Sequence, residues 1–337
     1  MMKKIVFIIL LILIPLTISA GRYAGDFILL GSGVRPLGMG GAFTAVADNG
    51  NAIYWNASGL AQITEIEAEV MHAFLFDNLA AYDFFSFCIP LPASTTIGVS
   101  FTQLSVNNIP YFDEKWLKNS NVFIRSSNVD LHLTGDPDGY FTSSDQLFEF
   151  AFAKNFSRVI NLGWELFDLP IDYYVGGTFK YIKRSIHENI GTGMGGDISF
   201  MVRTDFGLLT EVPWLGKIRF AFNLQDIGGT KITWDTRSKH IDEIFTTPKF
   251  GLAVEQPLHF INSEMVVAWD WYEDYEYRNN LGLEFTYKDL LSFRTGLFDK
   301  HLTAGLGFRY NRFMINYALI THTDLGNSHR VGVMMNF

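Results

Sequence analysis

The stretch that decides the fold is Lys217-Ile218-Arg219-Phe220-Ala221-Phe222-Asn223-Leu224-Gln225-Asp226. Its side chains alternate between an apolar set and a polar or small set: Ile218, Phe220, Phe222 and Leu224 against Arg219, Ala221, Asn223 and Gln225. Because successive side chains of a β-strand point to opposite faces, this alternation predicts a strand with one apolar and one polar face.

The same alternation recurs along the chain, for example around Phe148, Phe150 and Phe152. It predicts about 14 strands of roughly nine to eleven residues, the length that a tilted strand needs to cross a membrane. They lie near residues 66–76, 80–90, 94–104, 145–155, 171–185, 194–204, 217–226, 247–255, 263–271, 280–288, 290–298, 302–311, 312–321 and 329–337. The predicted fold class is all-β, a transmembrane antiparallel β-barrel, because an even number of strands can close on itself with both ends on one side.

Composition excludes several other classes. Hydrophobic residues make up 48% of the chain and charged residues 18%, which is low in charge for a soluble globular protein. Beyond Ala20, polar residues interrupt every window long enough for a transmembrane helix. Acidic residues number 35 against 26 basic ones, so no nucleic-acid partner is expected. The single cysteine, Cys88, excludes an intramolecular disulfide.

The connections between the predicted strands separate a barrel from a soluble sandwich, which has the same alternation. If the first strand runs outward, the long connections 105–144 and 227–246 lie at one end, while the short ones at 91–93, Asp289 and Asn311 lie at the other. Outer-membrane barrels have this arrangement of long external and short internal connections. Loop 105–144 carries apolar residues, and it is either a capture surface or a self-packed lid.

Both ends of the chain carry recognisable signals. Residues 1–20 start with Lys3 and Lys4, continue with a short apolar run and end at Ala20, which predicts a cleaved signal peptide. The last strand alternates, with Val331, Val333, Met335 and the terminal Phe337 on its apolar face. A terminal aromatic residue in this position resembles the signal that the outer-membrane assembly machinery reads. This strand is expected to pair with the first and close the barrel.

The segment from Gly33 to Asp48, continuing from Asn51 to Ala61, does not have a strand pattern. It resembles the N-terminal signature of the PorV/PorQ family, which is related to FadL-type long-chain fatty-acid transporters. The resemblance implies a 14-stranded barrel over residues 66–337, with residues 21–65 forming a hatch, or plug, inside it. The residues that match the hatch are Gly38, Gly40, Gly41, Trp55, Asn56 and Gly59. Where the relatives have Asn-Pro-Ala, this chain has Asn56-Ala57-Ser58, without the proline.

The resemblance implies two functions. In the first, the barrel binds hydrophobic small molecules and passes them through; in the second, it holds cargo or machinery of type IX protein secretion at the cell surface. Expected partners are outer-membrane lipids, the assembly machinery, and either a hydrophobic small molecule or secretion-system proteins. No enzyme activity, catalytic residue, metal or cofactor is expected.

Three other motifs have ordinary structural explanations. The run Gly191–Gly196 fits a dinucleotide fingerprint, but it lies between alternating strands and predicts an external hairpin. Asp136-Pro137-Asp138-Gly139 is typical of a turn rather than a calcium site. The acidic and aromatic run from Trp269 to Tyr277 predicts an aromatic girdle that leads into an acidic external loop.

Overall fold

The structure is a computed structural model that describes residues 24–112, 137–161, 168–210, 212, 214–274, 277–322 and 326–337. The expected signal peptide lies outside these residues. The chain first forms three short helices and a 3-10 helix, and a fourth short helix follows the sixth strand. Their bounds are α1 Asp26–Leu29, α2 Val34–Gly38, α3 Ala52–Trp55, the 3-10 helix Ala57–Gln62 and α4 Phe206–Thr210. A further 3-10 turn is His259–Ile261. None of the helices in the described part has the length and apolarity of a membrane span.

Sixteen strands make up the single sheet of the described residues. Their bounds are β1 Glu67–Leu75, β2 Ala80–Leu91, β3 Thr95–Tyr111, β4 Gly139–Asn161, β5 Asp168–Ile186, β6 Asn189–Asp205, β7 Lys217–Gln225, β8 Thr230–Trp234, β9 Ile241–Ile244, β10 Thr247–Leu258, β11 Ser263–Glu273, β12 Tyr277–Tyr287, β13 Leu291–Phe298, β14 His301–Tyr310, β15 Phe313–Ile320 and β16 Ser328–Asn336.

Fourteen of these strands form a closed ring, which confirms the predicted barrel. Each ring strand pairs antiparallel with its neighbours in the chain, β7 pairs with β10, and β1 pairs with β16. The β1–β16 pairing, which closes the ring, starts with Glu67 opposite Asn336. Next to it, the Phe337 N–H donates to the Ile66 carbonyl at 2.9 Å. The two remaining strands, β8 and β9, form a hairpin that extends the ring at the edge of β6.

Burial on the strands is the reverse of that in a soluble protein. In β7 the polar or small residues Arg219, Ala221 and Asn223 are buried, while Phe220 is 55% exposed. The same holds in β4, where Glu149 is buried between the exposed Phe148 and Phe150. An apolar outer face around a polar inner face is the architecture of a transmembrane β-barrel, since every backbone polar group is paired around the ring and no edge meets lipid.

The two ends of the barrel differ as the sequence predicted. At the proximal end, where residue 66 enters β1 and Phe337 ends β16, the connections at 92–94, 288–290 and 311–312 are short. The two long connections lie at the opposite, distal end. Both differ in detail from the prediction. The first, loop 105–144, is shorter because β3 continues to Tyr111 and β4 begins at Gly139. The second, 227–246, contains the β8–β9 hairpin. Of the apolar residues in the first loop, Trp116, Leu117, Val122 and Phe123 lie outside the described residues.

Two sequence interpretations were wrong. Gly191–Gly196 is part of β6 rather than a hairpin turn, because its backbone pairs with β5 on one side and its first residues pair with β8 on the other. Glycine is required there since a Cβ on Gly191 or Gly193 would lie about 3 Å or less from β8 atoms. The acidic run after Trp269 does not all belong to an external loop either: Asp270 is buried and points into the barrel.

Candidate functional site inside the barrel

The N-terminal segment, residues 24–66, lies against the inner face of the barrel. Its backbone is held by inward side chains of strands around the ring. Asp270 of β11 accepts hydrogen bonds from the N–H groups of Phe43 and Thr44 at 2.9 and 2.8 Å. Ser199 of β6 accepts one from the Ser58 N–H at 2.8 Å. The polar inner face, which alternation alone suggests is wet, is therefore largely buried against this segment.

The residues that the sequence predicted for the hatch all lie in this segment and are all buried. Trp55 donates through Nε1 to the Ser32 carbonyl at 2.8 Å. Asn56 donates to the Thr44 carbonyl at 2.7 Å, and its side-chain oxygen accepts from the Ser58 N–H, which caps the 3-10 helix. Asn56 therefore caps this turn although Ala57, and not a proline, follows it. Whether the segment moves as a hatch stays a prediction.

Close approach explains the glycines of the segment. Gly40 has a φ of +65°, and a Cβ there would lie 2.4 Å from the Leu297 backbone nitrogen. Gly59 packs so closely that a Cβ would lie 2.0 Å from the Ala47 carbonyl oxygen, within the segment itself. Gly38 faces Gly305 of the wall, and Gly41 also has a positive φ. Only glycine combines this backbone with this spacing.

The wall supplies carboxylates that satisfy the donors of the segment. Glu67 accepts from the Gly50 N–H, and Glu69 accepts from the side-chain amide of Asn51 at 2.8 Å. On the neighbouring strand β16, Arg330 donates to the carbonyls of Leu30 and Gly31 at 2.9 and 2.8 Å. These contacts pair many donors and acceptors of wall and segment, as buried polar groups require. Asn51 Oδ1, Asp270 Oδ1 and Arg330 Nε are buried without a hydrogen bond among the described residues.

An alternating row of charges crosses the barrel near its proximal end. We call it the ionic chain, and its members in order are Lys217, Glu255, Arg219, Asp48, Arg35, Glu284 and Arg294. Arg35 and Asp48 belong to the N-terminal segment, and the other five to the wall. Burial on its own would lower the pKa of the Arg35 guanidinium, but Asp48 and Glu284 raise it well above its ordinary value, so Arg35 remains a cation.

A polar cavity of about 290 Å³ lies on the proximal side of the ionic chain. Arg35, Asp48, Glu284 and Arg294 contribute to its lining, together with Glu65 near the end of the segment. The charged contacts that hold the segment therefore border the proximal mouth directly.

A smaller and more apolar cavity, of about 40 Å³, lies on the distal side of the segment. Ile28 and Leu29 of the segment line it together with Ile244 and Phe245. Lys249 is buried beside it, with its ammonium 4.5 Å from the centre of the Tyr272 ring. A cavity of this size holds only a few water molecules, so any larger molecule requires α1 or the β8–β9 hairpin to move.

The ionic chain was not predicted from the sequence. Arg219 was recognised only as part of a polar face, and Arg35 only as part of the family signature. One signal was present: between Asp26 and Glu65 the segment has two charged residues, Arg35 and Asp48. Which wall residues they meet depends on how distant strands are arranged around the lumen, and no local pattern carries that information. Among the described residues, no group of three or more His, Cys, Asp and Glu side chains is placed to hold a metal ion.

Fold and interior together define a class: a transmembrane β-barrel whose lumen contains its own N-terminal segment. No family model and no curated protein matches the chain. Among solved structures, the chain is similar to the toluene transporter TbuX of Ralstonia pickettii, with 11% identity, 92% of this chain and 99% of that chain covered, and a TM-score of 0.48.

Two further structures are similar at the same level. One is a FadL homologue of Pseudomonas aeruginosa, with 9% identity, coverage of 91% and 98%, and a TM-score of 0.45. The other is a deltaS2 mutant of the monoaromatic hydrocarbon channel TodX, with 10% identity, coverage of 92% and 99%, and a TM-score of 0.45. Similarities of this size say nothing about which residues of the present chain bind a ligand.

Proposed function

We propose that this protein is an outer-membrane barrel that binds hydrophobic small molecules at its distal end and passes them inward past the N-terminal segment. The observation that carries the proposal is the apolar cavity between α1 and the β8–β9 hairpin, directly above a lumen that the segment occupies. An open diffusion pore needs neither feature. Ile28, Leu29 and Ile244 form the apolar part of this lining, and Asp226, Lys249 and Asp274 add a few polar groups. A largely apolar site with few polar groups, formed between separate elements, suits a hydrophobic small molecule.

Two elements that border the distal cavity, the turn before α1 and the β8–β9 hairpin, lie against each other. Gly25 lies at its edge, and a Cβ there would lie 3.2 Å from Ile244 Cγ2. The β8–β9 hairpin is joined to β7 through Gly228 and Gly229, both with positive φ, and among the described strands of the ring it pairs with β6 alone. Displacing the hairpin breaks one ladder of four residue pairs and the packing of the buried Ile232 and Trp234, whereas displacing a ring strand breaks two ladders.

The test compares two isoleucines on the same strand. Ile244 is buried beside the cavity, and Ile241 is 54% exposed. Native mass spectrometry of the protein extracted from its own outer membrane should show a retained apolar molecule in the wild type. We expect Ile244→Ser to lose that molecule and Ile241→Ser to retain it.

Two results would count against the proposal. If the wild-type spectrum shows an empty barrel under conditions that preserve bound lipid, no ligand of this class is held. If both serine variants retain the molecule equally, it binds somewhere other than the distal cavity. A stoichiometric protein in the spectrum would instead favour the secretion role, which stays a prediction from the family resemblance.

A further inference from the structure

Arg35 and Asp48 are placed to hold the N-terminal segment in position by charge. Asp48 lies 2.5 Å from Arg35 within the segment. Outward from this pair, Arg35 binds Glu284 of β12 at 2.8 Å, and Asp48 lies 3.6 Å from Arg219 of β7. The pair therefore bridges two parts of the wall that β10 and β11 separate in the ring.

The segment is otherwise almost uncharged. Between Asp26 and Glu65, Arg35 and Asp48 are its two charged residues, and they neutralise each other. A charge that moves through a confined lumen without its counter-ion is costly, whereas an internal ion pair moves at a lower cost. The two charges through which the segment contacts the wall are thus also paired with each other.

The wall on each side is also internally paired. On β7 and β10, Glu255 accepts from both Lys217 and Arg219, and on β12 and β13 Glu284 accepts from Arg294. Breaking the two outward ionic contacts of the Arg35–Asp48 pair separates three groups, each of which retains an opposite charge. No member of the ionic chain is left without a counter-ion.

The distal half of the segment is held differently. Arg330 donates hydrogen bonds to the Leu30 and Gly31 carbonyls, and Asp270 accepts hydrogen bonds from the Phe43 and Thr44 N–H groups. Within the described part of the chain, neither Arg330 nor Asp270 has an opposite charge within 4 Å. Withdrawing these backbone groups would leave a buried charge unpaired, so these contacts are anchors, and the contact of the Gly50 N–H with Glu67 is a third of the same kind.

We propose that Arg35 and Asp48 form an ionic latch that closes the proximal mouth. The latch opens when the two residues, still bound to each other as a neutral pair, move away from Glu284 and Arg219, while residues 30–31 and 43–44 remain anchored. The latch borders the proximal cavity, so water and ions from that side reach it as soon as it parts. This device belongs to the segment and does not depend on which solute the barrel passes.

The test exchanges the two charges. The double variant Arg35→Asp/Asp48→Arg keeps the internal pair and the net charge, but the new carboxylate at position 35 would face Glu284 and the new guanidinium at position 48 would face Arg219. Ion conductance in planar bilayers should then show openings that are at least about tenfold more frequent than in the wild type, since like charges replace two buried attractive contacts. Reversing the wall pair as well, with Glu284→Arg/Arg294→Glu, restores one contact and should reduce the openings again.

Asp83→Asn is the control. Asp83 lies outside the ionic chain, on an exposed part of the wall where its carboxylate is 2.6 Å from His72 Nδ1, so its loss should leave the openings at the wild-type frequency. Heat-dependent migration of the unboiled protein in gel electrophoresis shows that each variant contains a folded barrel.

The proposal is overturned if the exchanged variant is folded and conducts like the wild type, or if Asp83→Asn opens the barrel equally. Should the exchange prevent folding, Asp48→Asn replaces it, because it removes the contact to Arg219 and leaves Arg35 bound to Glu284. A folded Asp48→Asn barrel with unchanged conductance would also overturn the latch. These conductance results are separate from the mass-spectrometric test of the apolar ligand, so each proposal can fail alone.

Discussion

Arg35 of the N-terminal segment and Glu284 of β12 form a two-pronged ion pair, with Nε 2.9 Å from Oε2 and Nη2 2.8 Å from Oε1. The residues are 249 positions apart in the chain. Glu284 also accepts from Arg294, so one wall carboxylate holds two guanidinium groups. The two residues lie on α2 and β12, and these elements come into contact only when the barrel closes around the segment.

Glu284→Gln should therefore be strongly destabilising. The amide cannot neutralise Arg35 and Arg294, and removing one partner from a buried ion pair costs about 3–5 kcal/mol. The free energy of unfolding from urea titrations of the detergent-solubilised barrel measures this loss. Asp172→Asn is the control, because its pair with Arg203 is partly exposed and should cost less than about 1 kcal/mol. Equal losses in the two variants would contradict the central role of Glu284.

Two adjacent glycines of β5 should respond differently to alanine. A Cβ on Gly176 would lie 2.3 Å from the Ser58 backbone nitrogen, whereas on Gly177, which faces outward, its nearest neighbour is 3.4 Å away. Gly176→Ala should overpack the lumen and cost about 1–3 kcal/mol. Gly177→Ala should be nearly neutral in the same urea titration. If Gly177→Ala is the more harmful change, the segment does not occupy its described position.

The ring of strands was predictable because it depends on local pattern. Each of the 14 predicted strands is present, since alternation with a period of two is set by the residues of the strand itself. The boundaries of β3 to β6 were not predictable, because these strands continue beyond the apolar stretch. Tyr111 and Gly139 extend one pair in this way.

The interior was less predictable. The resemblance pointed to the N-terminal segment, but nothing local links Asp270 to the Phe43 N–H or Glu67 to the Gly50 N–H. An inward acidic residue has the same sequence pattern whether it faces water or a buried backbone donor. Contacts across the lumen join residues that are distant in the chain, and their pairing follows only from closure of the ring.

Gly40→Ala tests whether the segment needs close approach to the wall or only a flexible backbone. Gly40 and Gly228 both have a positive φ, but nothing lies within 4 Å of a Cβ on Gly228, whereas one on Gly40 would meet the backbone of Leu297 and Leu281. Alanine at Gly228 should cost about 1–2 kcal/mol from backbone strain alone. Gly40→Ala should cost clearly more, as measured by the urea midpoint. Equal shifts in the two variants would show that packing at Gly40 contributes nothing.

Phe337→Ala tests the predicted assembly signal. The ring of Phe337 is 51% exposed on the outer face, while its backbone N–H donates to the Ile66 carbonyl and would still do so in the alanine variant. We expect a severalfold lower amount of folded barrel in the outer membrane of cells, measured by heat-dependent gel migration of the membrane fraction. Refolding of the purified variant into detergent should proceed as in the wild type, because closure of β1 on β16 remains intact.

Phe313→Ala separates an assembly signal from a loss of apolar surface. Phe313 is 46% exposed on the neighbouring strand β15, and it pairs with Met335 of the final strand. Its truncation removes a similar lipid-facing ring at the same end of the barrel without changing the terminal residue. If Phe313→Ala lowers the cellular amount as much as Phe337→Ala, the terminal ring contributes only to the apolar belt. If Phe337→Ala alone acts, and only in cells, the machinery that inserts the barrel recognises that residue.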